Sequence, residues 1–261
     1  MTLLLVEHGS PGGRSGPAFD HARRLRATGA FADVRVARLN GRPSVTDALA
    51  AAEDEIDIVP LLVSEGYVAT TVLPDAVETA TDDDVTIRYV SPVGTHERLA
   101  DVILERVESA VGDRREGVAL ALLGHGSERS AESAHPVRTH ATRLRDCGFD
   151  AVRAFFIEEQ PGIERVRTAF DAQIVVAVPV LMGKGRHVCV DLPESLGFPG
   201  AIDPPAVAPD GLRYTAPVGT APTVTEIAFE RAMTVVDSRD AEQDATPTNV
   251  TDRSARRRYR P

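Results

Sequence analysis

The sequence predicts an α/β protein made of two similar domains, each with a parallel sheet that has helices on both faces. Two observations predict this class. Short apolar segments of strand length alternate with segments of helical periodicity along most of the 261 residues. A series of landmarks in the first half also recurs in the same order in the second half, which indicates an internal duplication. The boundary falls near residues 112–117, so we expect domains at 1–112 and 117–237 and a disordered polar tail at 238–261.

The first domain begins with an apolar strand that ends in the tripeptide HGS at 8–10. A glycine-rich loop follows, and helices then alternate with strands. Pro43 stands at the predicted start of the second helix, where its missing N–H costs no hydrogen bond. The predicted strands are 3–6, 34–39, 56–63 and 85–90, and the predicted helices are 18–28, 43–54, a short segment after Leu73-Pro74, and 95–111.

The second domain repeats this order of elements. Its predicted strands are 118–123, 152–157, 174–182 and 212–215, and its predicted helices are 131–146, 161–170 and 221–236. The matching landmarks are HGS at 8–10 and 125–127, Pro43 and Pro161, Pro60 and Pro179, Leu73-Pro74 and Leu192-Pro193, and PVGT at 92–95 and 217–220. One shared tripeptide would be weak evidence, but five ordered matches with like flanking structure strongly indicate duplication.

The composition argues against several kinds of partner and site. The chain carries 39 acidic and 29 basic residues, a net charge of −10, whereas a nucleic-acid surface needs clustered positive charge. Lys184 is the only lysine, and arginine bias with excess acid is typical of adaptation to high salt rather than of a specific cationic partner. Cys147 and Cys189 form no CxxC pair, so neither a disulfide framework nor a cysteine zinc site is expected.

The chain shows no targeting or membrane segment. No basic region or cleavage site of a secretory signal precedes the first strand, and the longest apolar run, about ten residues, is too short to span a bilayer. We therefore expect a soluble cytoplasmic protein that contacts neither membrane nor nucleic acid. Two fused domains already supply a pseudo-dimer, so we expect a monomer.

The candidate chemistry lies at strand ends in the second domain. Ligands bind beyond the carboxyl ends of the strands in open α/β sheets. His125 follows the first strand of this domain, His187 follows the third, and Glu158 and Glu159 follow the second. Two imidazoles and a carboxylate from separate loops suit a divalent first-row metal and supply bases that take protons near neutral pH.

The first domain carries only part of this set. His8 corresponds to His125, but Val68 stands where His187 is expected and Asn40 where Glu158 is expected. We therefore expect one fuller metal site, in the second domain. For His8, a role as secondary ligand or proton acceptor and a structural role are both open.

Three motifs together resemble the sirohydrochlorin cobaltochelatase family, the class II, ATP-independent tetrapyrrole chelatases. They are HGS after the first strand, P-x-L-x-G-x-G-x-H-x-x-x-D-L-P at 179–193, and PVGT before the last helix. The resemblance covers about residues 1–236 as two consecutive chelatase-like halves. It implies a chelatase-like or flavodoxin-like fold and a lyase that inserts a divalent metal, cobalt, into sirohydrochlorin for cobalamin biosynthesis.

The resemblance also implies roles for individual residues. In that family two histidines bind the incoming metal and accept pyrrole protons while a glutamate assists, which by motif gives His125, His187 and Glu158. The glutamate match is loose, so Glu159 is an alternative. The substrate is a polycarboxylate, and cationic side chains should line its cleft. The candidate cations are Lys184, Arg186 and Arg129, with solvated loop charge as their other interpretation.

Several alternatives remain open from the sequence. A related chelatase could insert Fe²⁺ for sirohaem or Ni²⁺, because the ligand types do not separate these metals. A non-catalytic metal or tetrapyrrole carrier, or a structural α/β protein, would share the same motifs. No permanent cofactor is expected, since the divalent metal is itself a substrate. The remaining histidines are expected at the surface, namely His21, His96, His135 and His140.

Overall fold

The first domain contains a four-stranded parallel sheet. The structure is a computed structural model that describes residues 2–9, 16–50, 55–80, 85–128 and 130–244, with side chains of the last helix described as far as residue 234. The strands are β1 (Thr2–Glu7), β2 (Asp33–Arg38), β3 (Glu55–Leu61) and β4 (Thr86–Tyr89), in the order β2-β1-β3-β4. The helices are α1 (Pro17–Thr28), α2 (Val45–Leu49), α3 (Leu73–Glu78) and α4 (Leu99–Val111).

The second domain repeats this topology and adds a short edge strand. Its strands are β5 (Val118–Gly124), β6 (Ala151–Phe156), β7 (Ile174–Pro179), β8 (Ala206–Val207) and β9 (Arg213–Tyr214). They lie in the order β6-β5-β7-β9-β8, and only β8 pairs antiparallel. Its helices are α5 (His135–Arg143), α6 (Leu192–Ser195) and α7 (Thr223–Asp244). Every residue of β5 is buried, as expected for a central parallel strand that reads as one apolar run.

The predicted fold class is confirmed, and the deviations have local causes. The segment predicted as a helix at 161–170 forms a 3₁₀-helix at Ile163–Thr168 instead. The helix predicted from Pro43 begins at Val45, because the Ser44 hydroxyl accepts from the Asp47 amide and the Asp47 carboxylate accepts from the Ser44 amide. Strand β8 was not predicted, since two residues are too short to show a period.

Each domain forms a π-helix after the loop that follows its third strand. The two segments are Val68–Val72 and His187–Asp191, and each continues into a short α-helix that begins with Leu-Pro. Single π-turns inside helices are frequent at functional sites. Both halves therefore contain the same π-helix, which begins at His187 in the second half and at Val68 in the first.

Paired histidine contacts join the two domains. The buried His21 of α1 donates from Nε2 to the Gly219 carbonyl at 2.9 Å, and the buried His140 of α5 donates from Nε2 to the Gly94 carbonyl at 3.0 Å. Burial lowers the pKa of both histidines, which favours the neutral form of each imidazole. The prediction that His21 and His140 lie at the surface is therefore wrong, while His135 is exposed as predicted.

Two arginines repeat the same reciprocal arrangement. Arg106 of α4 donates to the Thr220 hydroxyl at 2.8 Å, and Arg231 of α7 donates to the Thr95 hydroxyl at 3.0 Å. Helix α4 also packs against β7, and α7 packs against β3. One core cluster contains apolar side chains from both halves. The two domains thus form one packed unit that fixes their strand ends relative to each other.

The end of the chain differs from its prediction. The tail predicted to be disordered from residue 238 begins inside α7, which continues to Asp244, and residues 245–261 lie outside the described part. Within the described residues, no helix combines the length and apolar character needed to cross a membrane.

Candidate metal site

Two histidines meet at the carboxyl ends of the strands in the second domain. His125 follows β5, and His187 begins the π-helix after β7. Their ring centroids lie 5.0 Å apart, with the ring planes at 82° to each other. This separation allows one small cation to contact both imidazoles. The structure therefore brings together the two histidines that the sequence predicts as metal ligands.

The hydrogen bonds of the pair select which nitrogen is available. His187 donates from Nδ1 to Oδ2 of Asp191 at 2.8 Å, and His125 donates from Nδ1 to the Gly126 carbonyl at 2.9 Å. A proton on Nδ1 leaves the Nε2 lone pair of each neutral imidazole free to bind a metal or accept a proton. A carboxylate behind a histidine also raises the basicity of the ring and fixes its orientation.

Glu158 and Glu159 have different surroundings. Oε2 of Glu158 lies 3.8 Å from Nδ1 of His125, and its side chain is 57% exposed. Glu159 instead forms an ion pair with Arg138 and accepts from the Ser127 amide at 3.4 Å. Its carboxylate is therefore already neutralised. Of the two glutamates, Glu158 is the one whose charge remains available beside the histidine pair.

The three residues do not form a closed cage. Among the described residues, no group of three or more His, Cys, Asp or Glu side chains is arranged to hold a metal ion. The arrangement is an open pair of imidazoles with Glu158 at its rim. An open site of nitrogen and oxygen ligands suits a metal that has to be transferred rather than stored.

The corresponding position in the first domain is arranged differently. His8 donates from Nδ1 to the Gly9 carbonyl at 3.1 Å, as His125 does in its own loop. The Asn40 amide then donates to Nε2 of His8 at 3.3 Å and occupies its lone pair. Val68 stands in place of a second histidine. The first domain therefore has the same frame but no free imidazole pair.

The two predicted cations that the structure describes, Lys184 and Arg186, are already paired with carboxylates. Lys184 donates to Asp203 at 2.8 Å and to the Pro204 carbonyl at 3.4 Å. Arg186 lies 3.2 Å from the same Asp191 that holds His187. Arg129, the third predicted cation, lies outside the described residues. Both described cations instead stabilise the loop that carries His187.

A cavity of about 1260 Å³ adjoins the site and is lined by both domains. The loop at 65–70 forms the wall from the first domain, and segments at 127–128, 130–132 and 157–164 form the wall from the second. Six glutamates contribute to this lining: Glu65, Glu128, Glu132, Glu158, Glu159 and Glu164. The described lining residues are therefore predominantly acidic, and the predicted cations Lys184 and Arg186 are not among them.

Two side chains at the site were not assigned to it from the sequence. Asp191 was visible in the motif as a carboxylate four residues after His187, a spacing that places both on one face of a helical turn. Tyr67 lines the cavity from the first domain, and its only sequence signal is its correspondence to Arg186 in the duplication.

Comparison with known proteins gives the same assignment to both halves. The model of the CbiX family matches residues 2–110 and again residues 119–235. A protein of Halobacterium salinarum described as "Probable sirohydrochlorin cobaltochelatase" is 35% identical, over 94% of this chain and 97% of that protein. The two matches of the family model correspond to the two sheets.

One further relative matches in a way that agrees with duplication, and one solved structure matches over nearly the whole chain. A "Sirohydrochlorin cobaltochelatase" of Methanococcoides burtonii is 26% identical, and 98% of its length aligns with only 46% of this chain. The solved structure described as CbiX, the terminal enzyme for biosynthesis of siroheme in denitrifying bacteria, is 25% identical, with a TM-score of 0.67 over 90% of this chain and 99% of that one.

Proposed function

The chain belongs to the CbiX family, and from this premise we propose that it inserts Co²⁺ into sirohydrochlorin without ATP, as a step of cobalamin biosynthesis. The observation that carries the proposal is the pair formed by His125 and His187, whose rings lie 5.0 Å apart with both Nδ1 atoms hydrogen-bonded. The coarser activity, sirohydrochlorin chelation, agrees with the relatives' printed names.

The reaction exchanges one divalent cation for two pyrrole protons. Nε2 of His125 and Nε2 of His187 hold the metal substrate weakly while the macrocycle approaches. As the metal moves to the pyrrole nitrogens, each vacated imidazole accepts one of the two protons that the macrocycle releases. Glu158 stabilises the imidazolium that forms on His125, from which it is 3.8 Å distant. Asp191 stabilises that on His187, and water then removes both protons.

An insertion assay tests this function directly. Purified protein is mixed with sirohydrochlorin and Co²⁺, Fe²⁺ or Ni²⁺ in the absence of ATP, and the absorbance change of the macrocycle is followed. We expect acceleration over the protein-free reaction, with Co²⁺ the fastest. Faster insertion of Fe²⁺ or Ni²⁺ would show that this metal, and not Co²⁺, is the substrate. If the protein binds metal but does not accelerate insertion, a carrier function would be favoured.

Replacing Glu158 by glutamine should slow insertion about tenfold, because the imidazolium on His125 loses its carboxylate neighbour. Glu159→Gln is the matched control, since its carboxylate is already paired with Arg138. We expect that variant to keep most of its kcat. The initial rate at saturating metal and sirohydrochlorin measures both variants. A larger loss in Glu159→Gln would assign the assisting role to Glu159 instead.

A higher salt concentration should change the KM values for metal and for sirohydrochlorin in opposite directions. The glutamate-lined cavity attracts a divalent cation and repels a polycarboxylate, and raising ionic strength from about 0.1 M to about 1 M shortens the screening length from about 10 Å to about 3 Å. We therefore expect the KM for metal to rise and the KM for sirohydrochlorin to fall. Circular dichroism at each salt concentration controls for folding. A KM for sirohydrochlorin that rises with salt would show attraction by cations such as Arg186.

A further inference from the structure

Tyr67 is an exposed aromatic residue in the wall that the first domain contributes to the cavity. Tyr67 is 67% exposed. Among the described residues, the only other exposed large hydrophobic residue is Val207. Val207 lies on the edge strand β8, whereas Tyr67 lines the same cavity as Glu158. An exposed ring beside the candidate site is not explained by packing in the core.

The backbone on both sides of Tyr67 is held in place. The Gly66 carbonyl accepts from the Ala69 amide at 2.9 Å, from the Thr70 amide at 3.1 Å and from the Thr70 hydroxyl at 3.2 Å. These bonds begin the π-helix that Tyr67 directly precedes. The ring is therefore presented to the cavity from a fixed turn.

This turn also lies next to the loop that carries His125. A methyl group built on Gly66 would lie 3.9 Å from the Ser133 amide nitrogen of the second domain. The Ser133 hydroxyl donates at 3.0 Å to the Gly126 carbonyl, which also accepts from His125. The turn before Tyr67 thus lies close, across the domain boundary, to the segment that hydrogen-bonds the His125 loop.

The residue that corresponds to Tyr67 in the second domain is Arg186, which differs from it in charge and in shape. Tyr67 occupies the position of Arg186, and both residues immediately precede a π-helix. Arg186 lies 3.2 Å from Asp191 in its own loop, while among the described residues the Tyr67 side chain has no hydrogen bond and no ring contact. The first domain therefore carries a neutral ring with a flat apolar face where the second domain carries a cation.

We propose that Tyr67 binds the face of the tetrapyrrole macrocycle, so that the first domain holds the ring while the second supplies the metal and takes the protons. This inference rests on the proposed function. A flat conjugated ring is bound by stacking or edge contact with an aromatic side chain. The surrounding glutamates cannot make that contact, and they repel the peripheral carboxylates toward the open side of the cavity.

The test is an absorbance titration of metal-free sirohydrochlorin with wild-type protein and three variants. Tyr67→Ala should raise the dissociation constant about tenfold, and Tyr67→Phe should stay within about twofold because it keeps the ring. Val207→Ala, the matched exposed residue away from the cavity, should bind as wild type. In the insertion assay, Tyr67→Ala should raise the KM for sirohydrochlorin and keep kcat at saturation, and a purely structural defect would not give this split.

Wild-type affinity in Tyr67→Ala would overturn the inference, and so would an equal loss in Tyr67→Phe, which would assign the effect to the hydroxyl. The outcomes separate this inference from the proposed function. A wild-type protein that binds sirohydrochlorin through Tyr67 but inserts no metal would remove the function and leave the aromatic contact standing. Normal insertion by Tyr67→Ala with an unchanged KM for sirohydrochlorin would remove the aromatic contact and leave the proposed function standing.

Discussion

Replacing His187 by alanine should lower the rate of metal insertion about 100-fold or more, effectively abolishing it. The change removes one of the two Nε2 atoms that hold the metal and one of the two proton acceptors. It leaves His125 alone, with only its Gly126 hydrogen bond to orient it. The initial rate of insertion at saturating sirohydrochlorin and metal measures the effect. His187 is half-exposed, so the substitution removes little core packing.

His8→Ala is the matched control for this prediction. His8 ends the first strand of its domain as His125 does, but the Asn40 amide occupies its Nε2. We therefore expect only a modest loss of insertion rate. Equal losses in His8→Ala and His187→Ala would contradict a single competent site and would show that both halves share the chemistry.

Replacing Asp191 by alanine should lower insertion about 10- to 100-fold, the range found when the partner behind a metal-binding histidine is removed. Asp191 accepts from Nδ1 of His187 at 2.8 Å and thereby fixes the tautomer that exposes Nε2. Without it, the ring can rotate or carry its proton on Nε2. Insertion rates at several metal concentrations check the effect, which should include a raised KM for metal because the site is no longer oriented.

Two variants separate this role from a general effect of charge. Glu194→Gln removes an exposed carboxylate from the same segment and should leave insertion unchanged. Arg186→Ala removes the other partner of Asp191, at 3.2 Å, and should cost much less than Asp191→Ala. If Arg186→Ala is as damaging as Asp191→Ala, the carboxylate acts through the arginine and not through His187.

The repeat made most of the fold predictable. Landmarks such as PVGT at 92–95 and 217–220 occur at like places in both halves, because the same close packing recurs there. A methyl group on Gly94 would lie 2.2 Å from the Val63 carbonyl oxygen, and one on Gly219 would lie 2.3 Å from that of Met182. Only glycine fits at either position. Periodicity then identified the strands, since buried parallel strands read as apolar runs.

The positions of several polar side chains were not predictable, because they depend on partners that are distant in the sequence. His21 and His140 look like surface residues on amphipathic helices, yet each donates to a carbonyl of the opposite domain. Lys184 is likewise predicted to bind the substrate, whereas its ammonium group donates to Asp203, 19 residues further along the chain. No local pattern in the sequence reports such a partner.

The site itself was partly predictable. His125 and His187 follow strands that are neighbours in the sheet. Because the carboxyl ends of neighbouring parallel strands lie at the same edge, the two histidines are predicted to lie close together. The choice between Glu158 and Glu159 needed the ion pair of Glu159 with Arg138, which periodicity does not show. The acidic cavity was missed because its glutamates come from three separate loops that converge only in the folded chain.

A titration with Co²⁺, followed by visible absorption, tests most directly the claim that the second domain alone carries the metal site. The wild-type protein should bind one equivalent, His125→Ala should lose that binding, and His8→Ala should keep it. Binding of two equivalents by the wild type, or one equivalent undiminished in His125→Ala, would contradict the assignment of the metal to His125 and His187.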